Sequence, residues 1–77
     1  METKFYKWVA PFSDTIDQVL MVQQGISCRV NDFDERQLIQ FFDYEVSTED
    51  MTPATKEEFI AVYTKVYGDL FRRILNI

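Results

Sequence analysis

Histidine is absent from this sequence, and cysteine, glycine and proline are scarce: the 77 residues include one Cys, two Gly and two Pro. Because His is the commonest general acid or base near neutral pH and the commonest metal ligand, its absence excludes Ser-His catalysis, Cys-His catalysis and most zinc sites. We therefore predict that the protein is not an enzyme. We also expect no metal site, and no cofactor.

Long hydrophobic runs and a disulfide framework are lacking as well. The longest apolar run, Phe59 to Tyr63, is far shorter than the roughly 20 residues that span a bilayer, so we predict no transmembrane helix and no membrane partner. The first eight residues do not resemble a secretory signal. The single cysteine, Cys28, cannot form an internal disulfide, and we expect it to be buried as a small hydrophobe. These features predict a cytoplasmic location.

Basic residues are too few and too scattered for an electropositive groove. Thirteen acids against eight bases give a net charge of −5, which argues against direct binding of nucleic acid. Seven of the acids lie between residues 32 and 50, opposed only by Arg36, so this segment carries −6 and the remainder +1. We predict that this segment is a partner-binding acidic surface; the alternative is a solvated surface that favours helix capping and solubility. Its acids are Asp32, Asp34, Glu35, Asp43, Glu45, Glu49 and Asp50.

What the sequence does contain is apolar and aromatic residues, at 47% and 16% of the chain. That composition predicts a packed globule, which we assign to a single small domain, residues 1–77. The segment Lys4 to Ala10 is rich in aromatic and β-branched residues and is followed by Pro11, which is typical of a strand.

Residues 13–30 allow two interpretations. A strand over Val19–Val22, a turn at Gln24-Gly25 and a second alternating strand over Ile26–Val30 would form a hairpin. Alternatively, apolar spacing from Phe12 onward fits a helix that ends at Gly25. The alternation after Gly25 favours the hairpin.

In the middle of the chain, Leu38, Phe41 and Phe42 have the spacing of one helical face. This spacing predicts a short helix from about Asp34 to Phe42. Alternation from Phe42 through Val46 could instead continue as a strand. Residues 47–54 form a polar segment interrupted by a proline, and we predict a loop there.

The last element is the clearest. Thr55 and Glu58 have the spacing of a capping box, and the helix that follows should run from about Lys56 to Leu75, with Gly68 inside it. Its apolar arc covers a little over half the circumference, more than one core contact needs. The excess either lies in a groove of the fold or forms a second face that binds a partner. That second face consists of Ile60, Tyr67, Phe71 and Leu75.

These patterns together predict an α+β fold. We expect a small antiparallel sheet from the N-terminal half, a short central helix and a long C-terminal helix on one sheet face; an all-α bundle is the alternative. The predicted function is that of a regulatory module that binds proteins through the acidic segment and the broad helix face, with homodimerisation as one form of that contact. The alternative is a small acidic inhibitor, of the kind encoded by phages or mobile elements, that occupies a basic nucleic-acid site of its target.

Overall fold

The computed structural model describes residues 2–33 and 36–76, and it is an α+β fold in which one long helix lies on an antiparallel sheet. The elements are β1 (Lys4–Val9), β2 (Ile16–Gln23), β3 (Ile26–Asn31), β4 (Leu38–Phe42), β5 (Thr52–Pro53) and α1 (Lys56–Leu75). The five strands have the order β4-β3-β2-β1-β5. The predicted fold class is confirmed, and the alternative of an all-α bundle is wrong.

The β2–β3 hairpin confirms the strand interpretation of residues 13–30. Val19 pairs with Val30 and Met21 with Cys28, and the two strands are joined by Gln24 and Gly25. Gly25 has φ 77°, a left-handed conformation that glycine adopts without steric cost. We call this turn the hairpin end of the sheet.

The predicted central helix is wrong, because Leu38–Phe42 is the edge strand β4. This five-residue run fits either a helix or a strand, and periodicity alone cannot separate the two. Pairing with β3 decides it, since it matches Ile39 with Val30 and Phe41 with Cys28. The predicted start of that helix at Asp34 lies outside the described residues.

A crossover segment, residues 43–51, carries the chain from β4 to the opposite edge of the sheet. It is anchored by Ser27, whose hydroxyl donates to the Tyr44 carbonyl at 2.8 Å and accepts from the Val46 amide at 3.3 Å. The short strand β5 then pairs with β1, inside the segment predicted to be a loop. Ser27 and its pairing partner Val22 lie on the sheet face opposite the helix. The crossover segment therefore lies against that face.

The core lies between α1 and the central strands. Val19, Val30 and Cys28 of the sheet are buried against Phe59 and Val66 of the helix. The predicted burial of Cys28 is confirmed, and burial raises the pKa of its thiol. The described helix lacks the apolar character that a membrane-spanning helix of its length would need.

Helix α1 begins and ends as predicted. The Thr55 hydroxyl accepts from the Glu58 amide at 3.0 Å, and the Glu58 carboxylate accepts from the Thr55 amide at 2.9 Å. These two hydrogen bonds confirm the capping box. A Cβ at Gly68 would meet only the Arg72 guanidinium at 3.6 Å, so no close packing requires this glycine.

Contacts at both ends of α1 show that it crosses the sheet diagonally. Near its start, the Phe59 ring lies 5.6 Å from the Phe5 ring of β1. Near its end, Asp69 accepts a hydrogen bond of 2.7 Å from Gln37, which immediately precedes β4. The helix therefore starts over β1 and reaches the edge of the sheet at the beginning of β4.

Candidate protein-interaction surface

Helix α1 exposes an apolar face in addition to the one it buries. Phe59 and Val66 face the core, whereas five large side chains on another side of the helix are between 48% and 67% exposed. Four of them are the residues predicted as a second face. We call these five the helix stripe: Ile60, Tyr67, Phe71, Ile74 and Leu75.

Stacked rings connect the core to the helix stripe. The ring of Tyr63 lies 6.1 Å from Phe59 and 6.1 Å from Tyr67, and Tyr67 lies 6.2 Å from Phe71, with interplanar angles of 24°, 15° and 7°. The spacing of four residues places successive rings on neighbouring turns. A side chain held by its neighbours loses less conformational entropy on binding, so a contact made by this column of rings would have a reduced entropic cost.

The C-terminal turns of α1 lie beyond the sheet. Residues 71–76 are all exposed, while Arg73 is still close enough for its guanidinium to donate to the Gln37 side chain at 3.4 Å. Because Gln37 precedes the edge strand β4, Ile74 and Leu75 extend past the last strand. The described residues therefore leave this end of the helix stripe uncovered.

The sheet also has an uncovered apolar corner on the face that carries α1. Phe41 is 72% exposed and Ile26 is 47% exposed, although their register places both on the same face as the buried Cys28. Both residues lie toward the hairpin end of the sheet. Helix α1 reaches β4 at its other end, near Leu38, and so leaves this corner bare.

The flanks of α1 show which way the helix stripe faces. The polar flank is held by Lys65, whose ammonium lies 2.9 Å from the Asp32 carboxylate, and by Asp69 with Gln37. These contacts are at the end of the sheet opposite the hairpin. The aromatic flank, which begins with Phe59 against Phe5, therefore faces the hairpin end, and Phe5 pairs there with Met21.

Hydrogen bonds on this polar flank account for a shifted carboxyl group. The pKa of Asp69 is lowered, chiefly by the hydrogen bond from the Gln37 amide and further by the guanidinium of Arg72. The pKa of Glu58 is also lowered, chiefly by the hydrogen bond from the Lys7 ammonium. Each of these carboxylates is engaged by a group of its own fold.

The acidic segment does not form one surface in the described residues. The Asp32 side chain is only 15% exposed, because it pairs with Lys65 and accepts from Gln37 at 3.1 Å. Glu45 instead accepts from the Gly25 amide at 3.1 Å. These two acids mark opposite ends of β3, about 20 Å apart at the usual rise of an extended strand.

Three of the remaining predicted acids lie on the crossover segment. Asp43, Glu49 and Asp50 are exposed on the crossover segment, while Asp34 and Glu35 lie outside the described residues. Among residues 2–33 and 36–76, no three Cys, Asp or Glu side chains are grouped so that they could hold a metal ion.

Sequence reasoning missed Phe41 as a surface residue. The helical interpretation of residues 34–42 placed Phe41 on one face of a helix with Leu38 and Phe42, and no local signal distinguishes that role from exposure on an edge strand. Ile74 is the second omission from the site. It follows Tyr67 by seven residues, as Tyr67 follows Ile60, and this spacing on the helix could have identified it.

Comparison with known proteins gives no match to this chain: no family model, no curated protein and no solved structure is significantly similar. Function therefore has to be inferred from the exposed surfaces themselves.

Proposed function

We propose that this protein is a non-enzymatic interaction module and that it binds another protein chain through the helix stripe. The observation that carries this proposal is the exposure of five large apolar side chains on one side of α1, where the fold supplies nothing to cover them among its described residues. Aromatic side chains are enriched at protein–protein contacts, and they dominate binding energy when they become buried. Tyr67 and Phe71 are the two aromatic members of the stripe.

The size of the exposed surface supports the same function. Five side chains that each expose roughly 100 Å² form an apolar patch of about 500 Å², at the upper end for a protein that acts alone. No charged residue belongs to the patch, and the small residue Thr64 lies beside it on the helix surface. A partner helix or sheet could approach closely there without removing a charge from water.

The two carboxylates with lowered pKa give no support to an enzymatic function. Glu58 bonds to Lys7 and Asp69 bonds to Gln37, so each pKa has a structural cause. A general base near neutral pH usually has a carboxyl pKa that is raised, and both shifts have the opposite direction. We therefore assign both groups to the attachment of α1 to the sheet.

The acidic inhibitor is the second hypothesis, and its support is narrower than the sequence suggested. Asp32 is occupied by Lys65, and Glu45 holds the hairpin turn through Gly25. Among the acids of the segment that the structure describes, the exposed ones that could still face a basic partner are those of the crossover segment, Asp43, Glu45, Glu49 and Asp50.

Affinity capture with matched variants tests the proposed function. Immobilised wild type, Phe71→Asp and Ala61→Asp are incubated with cell lysate, and the bound proteins are quantified by mass spectrometry. Ala61 is exposed on the same helix but outside the stripe, so its variant introduces the same charge away from the proposed contact. We expect partners of the wild type to be retained by Ala61→Asp and reduced by about tenfold or more, roughly 1.4 kcal/mol, by Phe71→Asp. Equal capture by all three proteins would contradict the proposal.

A further inference from the structure

The two edges of the sheet differ in how they are protected from pairing. At one edge, β5 has only two residues and one of them is Pro53, which has no amide hydrogen to donate. At the other edge, β4 has five residues with the sequence Leu-Ile-Gln-Phe-Phe, without charge, proline or glycine. Natural sheets usually protect an exposed edge strand with a charged residue or a proline, and β4 has neither. Its composition is therefore that of a strand that pairs with another strand.

The outer side of β4 also has no strand beside it in the part of the chain that the structure describes. Helix α1 does not shield it either, since the helix crosses near Gln37 and continues past the edge. The outward main-chain groups of β4 can therefore accept an additional strand.

We propose that β4 pairs antiparallel with β4 of a second copy of this chain, so that the two sheets join about a twofold axis. This inference rests on the proposed function, because it makes a second copy the partner of the helix stripe. The register that uses all five residues places Gln40 opposite Gln40 of the second copy. It then places Ile39 opposite the second copy's Phe41, on the face that carries the helices.

The twofold arrangement covers the surfaces that each copy leaves bare. Antiparallel pairing puts the Leu38 end of one β4 beside the Phe42 end of the other. Helix α1 leaves its own sheet at the Leu38 end, and Phe41 is exposed near the Phe42 end. The overhanging Ile74 and Leu75 of each copy would therefore lie over the uncovered Phe41 of the other.

Distances along the helix are consistent with this contact. Residues 74–76 extend about 4.5 Å beyond Arg73 at the usual helical rise, close to the roughly 4.8 Å between neighbouring strands. Arg73 is the last helix residue with a hydrogen bond to the sheet's own edge segment, through Gln37. The next strand within reach of the helix end would be the first strand of a second copy.

The buried area and the charge also fit self-association. Phe41, Ile74 and Leu75, together with the paired edges of the two β4 strands, would bury about 500 Å² per copy, and the pair of copies about 1,000 Å², the lower limit for a specific interface. The side chains placed in the contact, Ile39, Phe41, Ile74 and Leu75, are uncharged, so the net charge of −5 on each copy acts mainly through longer distances that salt screens. We expect a dissociation constant on the order of micromolar that does not weaken as salt is added.

Sedimentation of the full chain tests the proposal over about 1–200 µM, a range chosen to bracket a micromolar constant. We compare wild type with Phe41→Lys and with Phe12→Lys, a fully exposed turn residue at a distance from β4. The wild type and Phe12→Lys should dimerise equally, and Phe41→Lys should raise the dissociation constant by about tenfold or more. Phe41→Thr keeps strand propensity and replaces the lysine variant if that one loses its circular dichroism.

Hydrogen exchange provides a second measurement that needs no variant. Dimerisation should slow amide exchange in β4 as the protein concentration rises, while exchange in β5 stays unchanged. A wild type that remains monomeric at the highest concentration, or a dimer indifferent to Phe41→Lys, would overturn the β4 interface. A monomer that still captures a different protein through Phe71 would leave the proposed function standing, so the two failures can be told apart.

Discussion

Lys7 and Glu58 form an ion pair that joins β1 to the first turn of α1, with 2.6 Å between the ammonium and the carboxylate. The other oxygen of the same carboxylate accepts the Thr55 amide at 2.9 Å and completes the capping box. One side chain therefore fixes both where the helix starts and where it meets the sheet. The position of the helix stripe relative to the sheet depends on this attachment.

The first prediction concerns pH. The hydrogen bond from Lys7 lowers the pKa of Glu58 in the folded protein, so at acid pH the unfolded chain binds more protons than the folded one. The ion pair therefore stabilises the folded protein fully above the ordinary glutamate pKa of about 4.3. This stabilisation is lost as the pH falls through the lower pKa of the folded state. Urea denaturation of wild type and Glu58→Gln should show a stability difference at pH 7 that shrinks below about pH 4.

Glu58→Gln is a specific probe because a glutamine at this position can still accept the Thr55 amide in a capping box. The variant removes the charge that faces Lys7 and keeps the hydrogen bond that starts the helix. A stability difference that stayed constant from neutral to acid pH would show that the ion pair does not contribute.

The second prediction concerns the helix cap. Thr55→Ala removes the hydroxyl that accepts from the Glu58 amide, and it should lower the free energy of unfolding by about 1 kcal/mol. Thr64→Ala is the matched control, because Thr64 is exposed within the same helix and alanine favours helix there by a few tenths of a kcal/mol. Chemical denaturation should therefore give changes of opposite sign for the two variants.

The third prediction contrasts the two glycines. Gly68→Ala should raise the free energy of unfolding by up to about 1 kcal/mol, since a Cβ there meets only the flexible Arg72 side chain at 3.6 Å. Gly25→Ala should lower it by roughly 1 kcal/mol, because φ of 77° is unfavourable for alanine although nothing lies within 4 Å of the added carbon. Thermal denaturation of both variants measures the contrast, and a loss for Gly68→Ala would mean that the helix needs this glycine.

The fourth prediction separates the two hypotheses for function. Asp43→Asn, Glu45→Gln, Glu49→Gln and Asp50→Asn together remove four negative charges and bring the net charge from −5 to −1. Folding should be retained, because Glu45→Gln keeps an acceptor for the Gly25 amide and the other three side chains are exposed.

Partner capture by this quadruple variant and by the wild type, at low and at high salt, distinguishes the two hypotheses. If the helix stripe is the contact surface, capture should match the wild type at both salt concentrations. An acidic inhibitor would lose its partner in the variant, and the wild type would lose it at high salt.

Much of the fold could be predicted because its signals are local. The capping box at Thr55 and Glu58, the length of α1 and the hairpin turn at Gly25 each depend on residues a few positions apart. The edge strand β4 could not be predicted, because Leu38–Phe42 fits both the helical and the strand periodicity. Only pairing with the neighbouring strand β3 selects the strand.

By itself, the sequence determined the composition of each surface: an uncharged apolar stripe on α1, an acidic middle segment, and a single cysteine suited to the core. Tertiary structure decided which of these surfaces are exposed and which lie together. It separated Asp32 from Glu45 along β3, and it placed the end of α1 beyond the same sheet edge where Phe41 is bare. The physical reason is that strand pairing and the crossing direction of a helix are set by contacts between residues far apart in the chain, which local spacing does not encode.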